Sequence, residues 1–549
     1  MLAALATITV LTMTQPSPWH HWANTTVTWK GDPPTDLDWV GIYLVDWPAS
    51  YVLFQSIIEY PGAPPATALT FRLLNSRGDY FARYYRGDKV LATSGPITPE
   101  GARAVHPRLT LLPSTPSSMM ISWTSNRTSG NPSVLVEPLN AVFRGKATLP
   151  VYAESRTYTR KDIGDCLGYA EISEQRTIPW PRQEEHTLRC GEDCGVDTTA
   201  LKLFYPPGWL HNATVGPLLP STTYRYTIGD DSDNSMRNAT FVTAPMKGSR
   251  EDLNLLYVAD IGGVRNTAFD TPEELGSATH NSMNVDDGKH TLKAMIAAHE
   301  KEAFRLCVIN GDLTYANGWM WMWERWMDAI SPLSASVPMA VTMGNHEVDY
   351  EANTKGAPWA NEADSGGECG IPTSSRFHVP PLSGYSFDFG SVHFVMLNSE
   401  GNLTAQQIWV EKDLSSLDRQ MTPWVIVLLH RPMFGSYNVN LEFKAFATTL
   451  LGQTFSRNKV DVVFGAHKHY YERMAPIDNV TYIIDGSGGR SDFDIDDSIA
   501  YESSRYAEFG HVGYTRIRVR KNASELVLER TRSKTQAVVD EVILVKGIN

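Results

Sequence analysis

Hydrophobic and polar positions alternate in short runs through residues 1–102. Thr25 to Trp29, Asp38 to Val45, Phe71 to Leu74 and Tyr80 to Tyr85 each read as a strand between turn residues, which predicts a β-sandwich. Ala6 to Val10 reads either as a first strand or as part of a signal-peptide core, Leu2 to Met13. The first basic residue is Lys30, so the positive flank of a signal peptide is missing. Arg-Gly-Asp occurs at Arg77 to Asp79 and at Arg86 to Asp88; beside strands, Gly-Asp reads as turn chemistry rather than as an adhesion signal. Pro96, Pro99 and Pro107 mark a boundary, and residues 103–247 form a second all-β stretch in which Met119, Ile121 and Trp123 alternate, as do Tyr224 and Tyr226. From about Leu253 continuous apolar runs replace alternation: Leu255 to Val258, Leu306 to Ile309, Met339 to Met343, Val392 to Leu397, Val425 to Leu429, Val462 to Phe464 and Tyr482 to Ile484. Leu292, Met295, Ile296 and His299 share one helical face between the first two. Residues 248–505 are therefore expected to fold as an α/β sandwich of βαβαβ units. In residues 506–549 Ile517 and Val519 alternate and Val542 to Val545 run apolar, adding a β segment that completes it.

Length and charge narrow the function. At 549 residues the chain exceeds one hydrophobic core. A formal charge of −13 repels phosphate backbones, so a nucleic acid polymer is not an expected partner. No run is long enough to span a bilayer. Seven Asn-X-Ser/Thr sequons, at Asn24, Asn126, Asn212, Asn238, Asn402, Asn479 and Asn522, point to glycosylation and to a secreted, extracellular or vacuolar protein. Of the five cysteines, Cys307 lies in an apolar run and reads as a buried free thiol, while Cys190, Cys194 and Cys166 suggest a local disulfide framework. Cys369 completes the set.

The chemistry lies where strands stop. The sequence reads Val258-Ala-Asp260-Ile-Gly262, Gly311-Asp312-Leu-Thr-Tyr315, Gly344-Asn345-His346-Glu347, Leu428-Leu-His430 and Gly465-Ala-His467-Lys-His469. In α/β sheets the carboxyl ends of strands form the functional crevice. Each motif alone is weak, but two carboxylates, an amide oxygen, three imidazoles and a phenol in this order supply enough ligands for two metals, provided one carboxylate bridges.

These five blocks resemble those of the purple acid phosphatases. Asp38-Trp-Val-Gly-Ile-Tyr43, Asp364-Ser-Gly-Gly-Glu-Cys-Gly370 and Tyr470-Tyr-Glu-Arg473 extend the resemblance to the large plant-type members with an extra N-terminal β-domain, and residues 103–247 resemble a fibronectin type III module. The resemblance implies that Asp260, Tyr315 and His469 bind ferric iron, that Asn345, His430 and His467 bind a divalent metal (zinc, manganese or iron), and that Asp312 bridges. It implies an acid phosphatase that hydrolyses small phosphate monoesters by metal-activated hydroxide, and it admits a homodimer. Protein serine/threonine phosphatases carry Asp-X-His and Gly-Asp-X-X-Asp-Arg in the first two blocks; Gly262 and Tyr315 depart from that pattern and favour the iron-phenolate site.

His346, beside Asn345, is the candidate catalytic residue, placed to hydrogen-bond phosphate or protonate the leaving group. The plant enzymes carry a catalytic His ten residues after the strand-terminal His, and that position here is Asn440, which can donate a hydrogen bond to substrate but no proton. Arg431 is a candidate phosphate contact, set against an outward, solvated reading. The run Trp319 to Trp326 reads as core rather than as a substrate rim, and His393 as core; His511 is a candidate neighbour of the site, and His20 and His21 have no partner motif. Two alternatives remain: a nucleotide pyrophosphatase or phosphodiesterase, suited to Asn440 because its leaving group is better, and a binding or adhesion protein with a vestigial phosphatase domain.

Overall fold

A computed structural model describes residues 8–14, 23–35, 37–44, 47–56, 67–73, 79–97, 104–112, 117–125, 130–139, 150–166, 204, 207–230, 237–262, 286–318, 320–349, 359, 364–380, 383–437, 439–492 and 503–547. Short runs with apolar residues on one side give two small antiparallel sheets at the N-terminus. Ala23–Gly31 lies between Ile8–Thr14 and Ala68–Leu73, and Asp38–Leu44 with Tyr80–Arg86 form the centre of a four-stranded partner sheet. Val27, Leu69 and Phe71 belong to one buried cluster with Val40, Ile42 and Tyr84. Ile8–Thr14 thus takes the strand reading of the N-terminal segment. Arg86 ends one strand, Gly87 and Asp88 make the turn and Lys89 starts the next, so this Arg-Gly-Asp is hairpin chemistry; Arg77 of the other copy lies outside the described residues.

The second β-region packs a four-stranded sheet containing Pro132–Pro138 and Thr223–Asp230 over Val105–Leu111, Met119–Ser125 and Trp209–Val215, with Leu109, Ile121, Trp123 and Val134 between them. The lower layer does not end there. Val105–Leu111 pairs in parallel with Met339–Thr342, so one ten-stranded sheet runs on through Cys307–Asn310, Leu253–Val258, Gly513–Arg520 and Glu525–Arg532 to Val538–Val545. A seven-stranded sheet of Tyr385–Phe389, Val392–Met396, Trp424–Leu428, Val462–Gly465, Thr481–Asp485, Tyr471–Met474 and Ser504–Glu508 faces it.

The central parallel strands are buried along their whole length because both faces are covered. Leu255, Tyr257 and Val308 meet Phe394, Ile426 and Phe464 between the sheets. The helices Asp286–Glu302 and Trp321–Ser334 cover the outer face of the larger sheet through Leu292, Met295, Trp323 and Trp326. Leu403–Ser415 and Leu441–Ala447 cover the smaller sheet through Val410 and Phe443. Trp323 and Trp326 are therefore core, as is His393, buried between Asp388 and Asp413. No helix among the described residues is long and apolar enough to cross a membrane.

The cysteine expectation needs a correction. Cys166 pairs with Cys369, 203 residues away, rather than within a local framework; Cys190 and Cys194 lie outside the described residues. The fold brings the end of helix Arg160–Cys166 against the start of Ile371–Phe377, a proximity that spacing does not encode. Cys307 is a buried free thiol, pushed up to about 12 by burial.

Candidate metal centre

Five parallel strands end on one side of the sandwich and deliver the five blocks there. Asp260, Asp312, Tyr315 and His467 all have positive φ, between 50° and 64°. That left-handed conformation costs a non-glycine residue roughly 1–3 kcal/mol and recurs at functional sites; here it turns the chain sharply so that each side chain points across the strand ends. The approach is close enough that only glycine fits between ligands. A Cβ on Gly344 would lie 2.1 Å from Asp312 Oδ1, and one on Gly311 would lie 2.6 Å from His430 Nδ1.

The candidate ligands gather in two groups. In one, the Tyr315 hydroxyl lies 2.9 Å from Asp260 Oδ1 and 2.9 Å from His469 Nε2, with His469 Nε2 3.5 Å from Asp260 Oδ1. In the other, Asn345 Oδ1 lies 3.0 Å from His430 Nε2 and 2.8 Å from His467 Nδ1. Asp312 stands between them: Oδ1 is 3.3 Å from His430 Nε2, and its carboxylate acts on the Tyr315 phenol. Asp312, His430 and His467 offer ligand atoms all within 4.8 Å of one another.

This donor set fits a cation. His430 Nδ1 lies 2.8 Å from the Asn310 carbonyl oxygen, which only accepts, so Nδ1 carries the ring proton. Nε2 then faces two further acceptors, Asn345 Oδ1 and Asp312 Oδ1, so the arrangement is attractive only with positive charge at that point, either a proton on Nε2 or a metal cation held by its lone pair. Burial lowers the His430 pKa, but Asp312 and Asp260 outweigh it and raise it to about 10. Burial raises the Asp312 carboxyl, yet His430 and His346 hold it well below its ordinary range. His467 is kept neutral by burial and then by Arg431 and Lys468. Burial, Asp260 and Asp312 push the Tyr315 phenol far up, so phenolate forms here only against a strongly charged cation.

Several residues outside the candidate ligand set shape the site. Glu347 is buried, and its carboxylate accepts from the backbone N–H groups of Asp312, Leu313 and Gly344 at 2.8, 2.8 and 2.9 Å, tying two ligand loops together. Asp364 Oδ2 accepts from Asn345 Nδ2 at 2.8 Å. Asn317 Oδ1 lies 2.7 Å from His346 Nδ1, which leaves His346 Nε2 toward Asp312 Oδ2 at 3.9 Å. Glu347 closes the block Gly344 to Glu347 and Asp364 opens the run Asp364 to Gly370, but neither pattern says what these side chains touch, and Asn317 stands in no motif.

Two expected substrate contacts have partners within the fold. Asn440 is the N-cap of Leu441–Ala447, its Oδ1 accepting from Phe443 N at 2.9 Å. Arg431 is neither outward nor solvated: it is 1 % exposed, its Nε 2.9 Å from Glu400 Oε2 and its guanidinium 3.6 Å from Asp349. A charged residue after a strand reads as solvated until a buried carboxylate pair is there to receive it. His511 contributes only its carbonyl, to Arg530. Among the sequons, Asn238, Asn402, Asn479 and Asn522 are exposed, whereas Asn212 is 8 % exposed with its Oδ1 bound to His378 Nε2 at 2.8 Å. Asn126 lies outside the described residues, and of Asn24 only the backbone, within a strand, is described.

Comparison with known proteins gives the same picture. Residues 253–471 match the family model for calcineurin-like phosphoesterase, residues 104–243 that for the purple acid phosphatase N-terminal domain, and residues 479–541 that for iron/zinc purple acid phosphatase-like protein C. The chain is 27% identical over 470 residues to a protein named probable inactive purple acid phosphatase 27 of Arabidopsis thaliana, covering 81% of this chain and 68% of the relative. It is 30% identical over 341 residues to a purple acid phosphatase of Glycine max, covering 58% and 66%. The solved structure of a purple acid phosphatase from seeds of yellow lupin (Lupinus luteus) shares the fold, with a TM-score of 0.75 at 22% identity over 96% of this chain and 93% of that one. With the second β-region, the α/β sandwich and the C-terminal strands each matched in order, the chain belongs to the purple acid phosphatase family of calcineurin-like metallophosphoesterases.

Proposed function

We propose that this chain is a catalytically active, secreted acid phosphatase that hydrolyses small phosphate monoesters at a binuclear centre of Fe(III) and a divalent zinc, manganese or iron. The observation that carries the reading is the convergence at His430: its Nδ1–H is committed to the Asn310 carbonyl, so its Nε2 meets Asn345 Oδ1 and Asp312 Oδ1 around a point that calls for positive charge. A proton on Nε2 would satisfy His430 alone, but the gathering of Asp312, His430 and His467, with ligand atoms all within 4.8 Å of one another, suits a metal, although some similar proteins are named probable inactive. Asp260, Tyr315 and His469 would hold the ferric ion, Asn345, His430 and His467 would hold the divalent ion, and Asp312, between the two groups, would be shared by both. A metal pair so held supplies an activated water and offsets the charge that develops on the phosphoryl oxygens. His346, with Nδ1 fixed by Asn317, presents Nε2 to hydrogen-bond a phosphoryl oxygen or, as imidazolium, to protonate the leaving group. Secretion is supported by the exposed sequons and by the Cys166–Cys369 bridge, which belongs in an oxidising compartment.

A second reading is favoured by Asn440. As a helix cap it supplies no acid, and a substrate with a better leaving group, a nucleotide pyrophosphate or a phosphodiester, needs none. The test is hydrolysis of p-nitrophenyl phosphate, bis(p-nitrophenyl) phosphate and a nucleoside diphosphate sugar by metal-loaded protein. A kcat/KM highest for the monoester is expected; the reverse order selects the second reading, and no turnover of any by protein holding two metals would sink both.

A further inference from the structure

The segment 364–370 lies between the metal centre and the β-domain and touches both. Asp364 Oδ2 accepts from Asn345 Nδ2 at 2.8 Å, Ser365 N donates to Asp349 O at 2.9 Å, and Gly370 N donates to Glu347 O at 2.7 Å. Glu368 accepts from Gly318 N at 2.9 Å and from Trp323 Nε1 at 2.8 Å. The segment presses so closely on the loop carrying Asn317 that a Cβ on Gly366 would stand 2.0 Å from the Asn317 carbonyl oxygen. Cys369, within it, is bonded to Cys166 at the end of helix Arg160–Cys166.

We propose that this segment is a clamp that presets one of the two metal subsites, with Asp364 as the positioning residue and the Cys166–Cys369 bridge as its tether; the inference rests on the metal-centre reading above. An amide side chain rotates to interchange oxygen and nitrogen, and only its oxygen ligates a cation. A carboxylate accepts and cannot donate, so Asp364 tolerates only Nδ2 of Asn345 and thereby turns Oδ1 toward His430 and His467. The Asp260, Tyr315 and His469 trio contains no amide and needs no such selector. The clamp therefore acts on one subsite alone.

The near-isosteric Asp364→Asn tests this, because an amide accepts either orientation of Asn345. Outer partners of metal ligands are worth about 10- to 100-fold in metal affinity, and a divalent affinity lower by that factor is expected, measured as metal content after dialysis against graded chelator. The Tyr315 visible band, the iron content and the thermal midpoint stay at wild-type values. Cys166→Ser lowers divalent affinity at the same subsite by a smaller factor. Wild-type divalent affinity in Asp364→Asn, or equal loss of both ions, would overturn the clamp while leaving the metal centre standing. Wild-type protein that takes up neither ion would overturn the metal centre and the clamp with it.

Discussion

Asn345, His430 and His467 are held from outside, by Asp364 on the amide and the Asn310 carbonyl on one imidazole, whereas the side chains of Asp260, Tyr315 and His469 lean on one another, with one outer contact from the His467 backbone N–H to Asp260 Oδ2 at 3.0 Å. The first trio consists of an amide and two imidazoles, whose usefulness depends on which atom faces inward, so outer partners must choose the tautomer and the rotamer. The second contains a carboxylate and a phenol, which face a cation correctly in any orientation that brings them close. Its problem is charge: Tyr315 holds its proton against two nearby carboxylates unless something strongly positive displaces it. One half of the centre is thus specified by orientation and the other by electrostatics.

The largest break in this contrast comes from the residue both halves share. Asp312→Ala should remove both ions and lower kcat/KM by roughly 10^3-fold or more, several kcal/mol of transition-state stabilisation; metal analysis that finds either ion at full stoichiometry would contradict the bridging role. Tyr315→Phe separates the halves, since the visible band should vanish while the divalent ion remains, as read by absorption together with elemental analysis. Acid should loosen the outer bracing first. His378 caps the helix that follows segment 364–370, accepting from Arg156 at Nδ1 (2.9 Å) and donating from Nε2 to Asn212 (2.8 Å). Burial, then Arg156 and Arg108, lower its pKa to about 3 from an ordinary value of 6.5. A depressed folded value for a base means that its contribution to stability is complete above 6.5 and is lost as pH falls toward 3. His378→Asn, which suits the left-handed φ of 56° there, should flatten the pH dependence of the urea midpoint over that window; an unchanged slope would exclude this imidazole as the source. The smallest effect on the centre is expected from Asn440→Ala, which should lower stability by about 1 kcal/mol through the lost cap and leave the spectrum and kcat/KM untouched. A raised KM would return Asn440 to the substrate site.

What the sequence makes legible follows the same division. Apolar strands that stop at Asp260, Asp312, Asn345, His430 and His467 announce themselves, because a buried parallel strand is a continuous hydrophobic run and its polar terminus stands out. The convergence of these side chains was therefore readable, as were the two β-regions and the α/β sandwich. The braces were not. Asp364 and Glu347 stand in motifs whose pattern does not say what they touch, Asn317 sits in a loop without periodicity, and the Asn310 contact uses a backbone carbonyl that any residue would supply. The burial of Arg431 depends on Glu400 and Asp349, distant in sequence, and the union of Cys166 with Cys369 depends on how the β-region docks. Local pattern names the groups that meet; long-range packing decides which atom of each is presented.

The order of strands in the larger sheet also sets the moment at which the centre comes into being. Leu253–Val258, which carries Asp260, lies between Cys307–Asn310 and Gly513–Arg520, pairing Leu253 with Val519. A nascent chain that has already exposed every ligand on its way out of the ribosome still lacks one neighbour of the strand beneath Asp260, and an open strand edge is where a partly folded sheet goes astray. Contacts this distant in sequence form late. The strand beneath Asp260 therefore gains its second neighbour from a segment made after every ligand, and the floor of the pocket is braced last.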